Sequence, residues 1–246
     1  MKSIILAAGY GTRLGEIGEK LPKGLIETEN STLVGRVVSE LRSSNIEEIA
    51  IVTNNKYYPA YKSWAESEKQ EDMIKLLNDG TTAPENRLGA LGDLLFAINE
   101  LGWQDEDILV APSDTFFAFP LSKFLEFVNS DSKSFATIVR EMAIQEIKNR
   151  LGCAVVSPDG EITNFTEKPE NPPSVFAAIP FYYYPAGTSS LLIQYMNEKN
   201  SSDAPGSIIP WLLKKNIKVR ALRVIENTID VGTVKELHIL SSLGKN

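Results

Sequence analysis

Two residue types that carry much of enzyme chemistry are nearly missing. The chain of 246 residues has one cysteine, Cys153, and one histidine, His238. A single cysteine forms no internal disulfide and excludes a cysteine-rich zinc centre. It suits a reducing compartment, so a cytoplasmic location is expected. A single histidine, late in an expected helix, leaves little room for hydrolytic triads or multi-histidine metal sites. Long apolar runs are absent too: none approaches the roughly 18 residues of a membrane span. The opening Ile4 to Ala8 is too short for a signal peptide and leads at once into Gly9-Tyr10-Gly11-Thr12-Arg13, so it reads as a buried first strand. Positive charge is in short supply. Twenty-five Lys and Arg stand against thirty-two Asp and Glu, for a net charge of −7. Phosphate-rich nucleic acid calls for a basic surface, so neither nucleic acid nor membrane is expected as a partner. A small anionic ligand stays admissible, because it responds to the groups next to it more than to total charge.

What is present is a soluble globular composition, 43% hydrophobic and 23% charged, in a chain long enough to bury its own core. Short apolar runs alternate with helical patterns through the first half. Strands are expected at Ile4 to Ala8, Ile49 to Val52, Met73 to Leu77 and Ile108 to Ala111. Helices are expected where Leu33, Val34, Val37, Val38 and Leu41 share one face, over Tyr58 to Glu68, and where Leu91, Leu94, Leu95, Ile98 and Leu101 recur before Gly102. The order βαβα predicts an α/β fold, a Rossmann-like, mostly parallel mixed sheet flanked by helices. The second half changes texture. Strands at Phe135 to Val139, Ala154 to Val156, Ile162 to Phe165 and Phe176 to Tyr184 have shorter links, and Ser157 to Gly160 reads as a hairpin turn. Helices follow at Ser190 to Asn197 and Ser207 to Lys215, then a strand at Lys218 to Val224 and a helix over 234–243, with Thr233 and Glu236 placed as a capping box. The expectation is one domain over 1–246, with halves of about 1–130 and 131–246, the second carrying a small antiparallel extension.

One loop stands out chemically. Leu6-Ala7-Ala8-Gly9-Tyr10-Gly11-Thr12-Arg13-Leu14 carries a strand into a glycine-bearing turn and then an arginine. Glycines permit positive φ and close backbone approach. Successive amides in such a turn can cradle an anion, and Arg13 adds a forked cation suited to phosphate. It is not the dinucleotide fingerprint, whose third glycine would fall at Leu14, nor a P-loop, which needs Gly-Lys-Ser/Thr. Lys23 follows on the same loop system in Leu21-Pro22-Lys23-Gly24-Leu25.

Together these two stretches, with seven residues between Leu14 and Pro22, resemble the signature of the sugar-1-phosphate nucleotidyltransferases, the sugar-nucleotide pyrophosphorylases. Further likenesses run in that family's order. Glu85 to Gly92 resembles its base-reading segment, Val110 to Asp114 its metal aspartate at a strand end, and Leu151 to Val155 its sugar-side strand. Phe165 to Pro169 resembles its Glu-Lys-Pro motif, and Ile229 to Thr233 its second metal aspartate. Spacing is closest to the glucose-1-phosphate thymidylyltransferases. The resemblance implies a nucleotide-binding first half and a sugar-phosphate-binding second half. It implies that a nucleoside triphosphate and a sugar 1-phosphate give an NDP-sugar and pyrophosphate, with Mg²⁺ held by Asp114 and Asp230. Arg13, Lys23 and Asp114 would be catalytic. Ala8, Gly9, Gly11, Thr12, Arg13, Asn86 and Gly89 would bind the nucleotide, and Gly152, Glu167 and Lys168 the sugar phosphate. A dimer or tetramer is also implied. Ala8 and Ser113 stand where many relatives have glycine, and neither the sugar nor the base is named by these motifs. Two other classes are weighed beside this one: a cytidylyltransferase acting on phosphocholine or another alcohol phosphate, and a catalytically silent regulatory relative. The Glu-Lys-Pro edge favours sugar over a quaternary ammonium, which would want an aromatic cage.

Overall fold

The computed structural model describes residues 1–12, 15, 18, 20–28, 30–70, 72–231, 236 and 239. Arg13, Thr233, His238 and, apart from Glu236 and Ile239, the helix expected over 234–243 lie outside the described residues.

The sheet is built from strands whose side chains alternate between two cores. β1 (Lys2–Leu6), β2 (Ile49–Thr53), β3 (Ile74–Asn78) and β4 (Ile108–Pro112) run parallel in the order β3-β2-β1-β4. Every residue of β2 and β4 is buried, as expected of parallel strands covered on both faces. Ile5, Ile51, Leu109 and Ala111 face one core, while Ile4, Ala50, Val52 and Val110 face the other. α1 (Leu33–Ser43) buries Leu33, Val34, Val37, Val38 and Leu41, the face expected from their spacing, and the Thr32 hydroxyl caps it by accepting from the Gly35 N–H at 3.1 Å. Such a cap satisfies a donor that has no partner within the helix. α2 (Tyr58–Ser67) packs in the same layer through Tyr61 and Trp64. α3 (Ala90–Leu101) lies on the opposite face and ends at Gly102 in a left-handed cap, φ 67°.

Several short elements come without a sequence expectation. The three-residue strand β5 (Thr115–Phe117) is too short to carry a period, and so is its later partner. α4 (Leu121–Asn129) buries Leu121, Phe124 and Val128. α5 (Ile144–Ile147) is a single turn.

The second half completes the sheet and then departs from it. β6 (Phe135–Glu141) is followed by the hairpin β7 (Cys153–Val156) and β8 (Ile162–Thr166), and then by the nine-residue β9 (Phe176–Tyr184). After α6 (Thr188–Asn197), the expected helix at 207–215 divides into a 3-10 turn at Pro205–Ile208 and α7 (Ile209–Lys214). β10 (Val219–Val224) pairs parallel with β6, and β11 (Thr228–Asp230) pairs antiparallel with β5. β9 runs against both β4 and β6, so the sheet is mixed and mostly parallel.

β9 has two partners along one edge. Tyr182 to Tyr184 pair with β4, whereas Phe176 and Ala177 pair with β7. Residues 178–181 lie between the two ladders, and Pro180 has no N–H to offer. On the other edge the register with β6 slips between Thr137 and Ile138, a bulge that bends β9. The fully buried Thr137 hydroxyl donates to the Phe181 carbonyl at 2.9 Å, within the bulge. This slit in the sheet becomes one wall of the cleft described below. Thr137→Val should leave that carbonyl unpaired and lower stability by about 1–3 kcal/mol. A urea unfolding midpoint equal to that of the wild type would show that the bulge does not need the bond.

Candidate active site

A cleft of ≈ 510 Å³ opens at the carboxyl ends of β1 and β4, where open α/β sheets place their ligands. Ala8, Gly9, Gly11 and Thr12 line one side and Gly152, Glu167 and Lys168 the other. Lys23, Asp114 and Asp230 also line it.

The glycine loop is fixed from behind. The Asn54 amide donates to the Ala8 carbonyl at 2.8 Å, and the Tyr57 hydroxyl donates to the Tyr10 carbonyl at 2.9 Å and also contacts the Gly18 carbonyl. The Tyr10 hydroxyl donates to Thr81, whose own hydroxyl donates to Asp79 at 2.8 Å. Gly11 takes φ 63°, a left-handed turn that favours glycine. A Cβ on Gly9 would meet no protein atom within 4 Å, so packing does not demand glycine there. Its smallness leaves room over the cleft.

Lys23 reaches the cleft because Gly24 lets its segment come close. A Cβ on Gly24 would collide with the Tyr61 hydroxyl and lie 3.0 Å from the Ser113 Cβ. From this position the Lys23 Nζ meets Asp114 Oδ2 at 3.1 Å. The ribbon of β5 and β11 sets Asp230 opposite Thr115, and the Val231 N–H donates to the Asp114 carbonyl at 3.0 Å. The two aspartates, 116 residues apart in sequence, therefore share one corner. Enclosure by protein, and then the negative charge of Asp114, raise the Asp230 carboxyl above the ordinary carboxylate range. Lys23 and Arg150 oppose that shift. Asp230 still meets the water of the cleft, which tempers the effect. Two oxygen donors that resist joint ionisation fit a hard cation such as Mg²⁺, which takes one or two carboxylates and completes its shell with water and phosphate oxygens.

On the opposite lip, a Cβ on Gly152 would lie 3.2 Å from Glu167 Oε2 and closer still to the Phe165 ring, so glycine admits the Glu167 carboxyl to the wall. Burial raises the Glu167 carboxyl, against the pull of Lys168. Lys168 Nζ stands 3.9 Å from that carboxyl, with its backbone at φ 46°. A lysine held in the left-handed region signals a constrained position.

At the third end the residues divide. Gly89 lines the cleft at φ 79°, where a Cβ would lie 2.7 Å from the Ser202 carbonyl. Asn86 turns its side chain onto its own turn, accepting from the N–H groups of Thr82 and Ala83 at 3.2 and 3.1 Å. Its neighbour Arg87 lines the cleft instead and pairs with Asp203 at 3.2 Å.

Asn54, Tyr57, Asp93 and Arg150 belong to this region without a sequence expectation. Asp93, in the first turn of α3, is only 6% exposed, and its Oδ1 has no partner. An acid among Leu91, Leu94, Ala97 and Ile98 is the signal that sequence offered.

Comparison with known proteins follows the same map. The family model described as Nucleotidyl transferase matches residues 2–243. The chain is 26% identical to the UTP--glucose-1-phosphate uridylyltransferase AglF of Haloferax volcanii, over 94% of this chain and 91% of that protein. It is 27% identical to the glucose-1-phosphate adenylyltransferase of Bacillus subtilis, over 96% of this chain but only 64% of that enzyme. A Bacillus anthracis structure assigned as a glucose-1-phosphate thymidylyltransferase, in complex with a sucrose, superposes with a TM-score of 0.83 at 22% identity, covering 100% of this chain and 96% of that one. The last likeness is one of fold.

Burial, and then the charge of Asp79, raise the Asp93 carboxyl to about 8. An unfolded aspartate titrates near 4. The folded state therefore holds an extra proton between these values, and its stability falls as pH rises through 8. Between pH 6 and 9 the wild type should lose on the order of 2 kcal/mol from this group. Asp93→Asn, which stays neutral, should remove that part of the loss. Parallel stability profiles for the two proteins over this interval would show that Asp93 is ionised throughout.

Proposed function

The chain belongs to the nucleotidyl transferase family, and on that premise we propose that it joins a nucleoside triphosphate to a sugar 1-phosphate, releasing pyrophosphate. The observation that carries this reading is the meeting of Lys23, Asp114 and Asp230 beside the glycine loop, in one cleft with Glu167 and Lys168. The activities for which AglF and the Bacillus subtilis enzyme are named support it, since both act on glucose 1-phosphate.

An oxygen of the sugar phosphate attacks the α-phosphorus in line. The new O–P bond forms as the bond to the bridging α–β oxygen breaks, and pyrophosphate leaves with that electron pair. The attacking oxygen is already ionised at neutral pH, so no protein base is required. Catalysis then rests on positioning and on neutralising charge. Gly9, Gly11 and Thr12 receive the triphosphate on their amides, beside Ala8 and with Arg13 as a further cation. Lys23 neutralises the α-phosphate. Lys168 holds the sugar phosphate, and Glu167 accepts hydrogen bonds from sugar hydroxyls. Gly89 borders the base end, and Asn86 acts there only by shaping the turn before it. Mg²⁺, held by Asp114 and Asp230, would add Lewis-acid stabilisation of the phosphoryl oxygens.

Asp114→Asn and Asp230→Asn should each lower kcat by about 10²–10³, the scale of one lost electrostatic contact, with unfolding midpoints showing that the fold survives. The assay is pyrophosphate release in Mg²⁺ with four triphosphates against sugar 1-phosphates and phosphocholine. Near wild-type turnover by either variant would remove the metal assignment. Turnover with phosphocholine alone would remove the sugar. Lys168→Ala should raise KM for the sugar phosphate more than KM for the triphosphate, and equal increases would contradict its placement.

A further inference from the structure

We propose that Arg150 is a second cation for the sugar phosphate, a specificity residue held ready by Glu236 and turned to the substrate when it enters. The inference rests on the function proposed above and assigns a role to a residue outside the set described there.

The charges of the cleft motivate it. Four of its described wall residues are cationic: Lys23, Arg87, Arg150 and Lys168. Lys23 is bonded to Asp114 and is given to the α-phosphate above, and Arg87 is engaged with Asp203 near Gly89. Lys168 and Arg150, each also beside a carboxylate, are carried by the neighbouring segments that flank Gly152 and Glu167, and a sugar phosphate brings nearly two negative charges to that lip. Lys168 is a point charge already 3.9 Å from the Glu167 carboxyl. A guanidinium presents a planar fork that matches two phosphate oxygens at once.

The backbone delivers Arg150 to the same place as Lys168. After α5 the chain reverses at Asn149, φ 56°, and the N–H groups of Arg150 and Leu151 both donate to the Ile147 carbonyl, at 3.0 and 3.1 Å. The Asn149 N–H donates to the Pro169 carbonyl at 2.9 Å. This bond ties the segment before Gly152 to the segment after Lys168, so the two cations leave neighbouring chains. The Arg150 head is half exposed, and its Nη2 contacts Oε1 of the largely buried Glu236. It also acts electrostatically on Asp230. Arg150 thus lines the cleft within electrostatic reach of the aspartate corner, on a segment tied to the Lys168 side. A guanidinium on one carboxylate can exchange it for a dianion without a change of fold.

A purely structural Arg150 would neutralise Glu236 and Asp230 and nothing more. The test separates these roles with three variants, Arg150→Ala, Arg150→Lys and Glu236→Gln, assayed on the sugar 1-phosphate and triphosphate that the wild type turns over fastest. Arg150→Ala should raise KM for the sugar phosphate at least tenfold, with KM for the triphosphate within twofold. Arg150→Lys should fall between the alanine variant and the wild type, since it restores charge without the fork. Glu236→Gln, which releases the guanidinium, should leave that KM unchanged or lower it. The proposal is overturned if Arg150→Ala leaves KM for the sugar phosphate within twofold, if both KM values rise equally, or if Glu236→Gln raises the sugar-phosphate KM as much as Arg150→Ala does. Should the alanine variant not fold, the lysine variant decides by the same split: a sugar-phosphate KM within twofold of wild type refutes the fork. If the wild type turns over no sugar 1-phosphate at all, the function proposed above fails and this inference goes with it. Turnover by the wild type with an indifferent Arg150 sinks the inference alone.

Discussion

Two carboxylates held side by side set the terms for the cleft. Side chains alone would push Asp114 and Asp230 apart. The main-chain ladder between β5 and β11 keeps them together, with the Val231 N–H on the Asp114 carbonyl. The neighbours compensate. Lys23 lies on Asp114, and Arg150 and Lys23 both draw the Asp230 carboxyl back toward ionisation. Gly24 is part of the same device, because only a residue without a side chain lets the Lys23 segment slide beneath Tyr61 and Ser113. Strained electrostatics of this kind are found where a protein uses charge, and rarely where it merely packs.

Much of this was legible in sequence, for local reasons. The face of α1 followed from its spacing, and the glycine loop with Lys23 from chemistry confined to twenty residues. Asp114 and Asp230 could be named from motifs, but their meeting depends on a ribbon of two three-residue strands, too short to leave a periodic trace. Asn54 and Tyr57 were silent for another reason. Each supports a carbonyl more than 40 residues away in the chain, and an asparagine or tyrosine after a strand looks like any other turn residue. Asn86 shows the reverse case: a polar residue in the right segment whose amide serves its own turn, while Arg87 next to it borders the cleft.

The two lips of the cleft differ in construction. The glycine-loop side grows from the ends of β1 and β4, in a sheet covered on both faces, and its loop is braced by Asn54, Tyr57 and Thr81. Such bracing limits the conformational entropy that binding would otherwise cost. The opposite lip, with Gly152, Glu167 and Lys168, stands on the β7–β8 hairpin, attached to β9 through its first residues and the Gly152 carbonyl. Its charged groups sit on residues with left-handed backbone neighbours, Asn149 and Lys168 itself.

That hairpin attachment has an evolutionary consequence. Because β7 pairs with β9 through Cys153 and Ala154, with the Gly152 carbonyl beside them and the hairpin turn resting on β10, mutations that tilt or reshape the hairpin can widen or narrow one compartment while the central strands keep their register. One lip of the cleft can then drift in shape without disturbing the other, a separation of selectable parts created by a four-residue interruption in one strand's pairing along one edge.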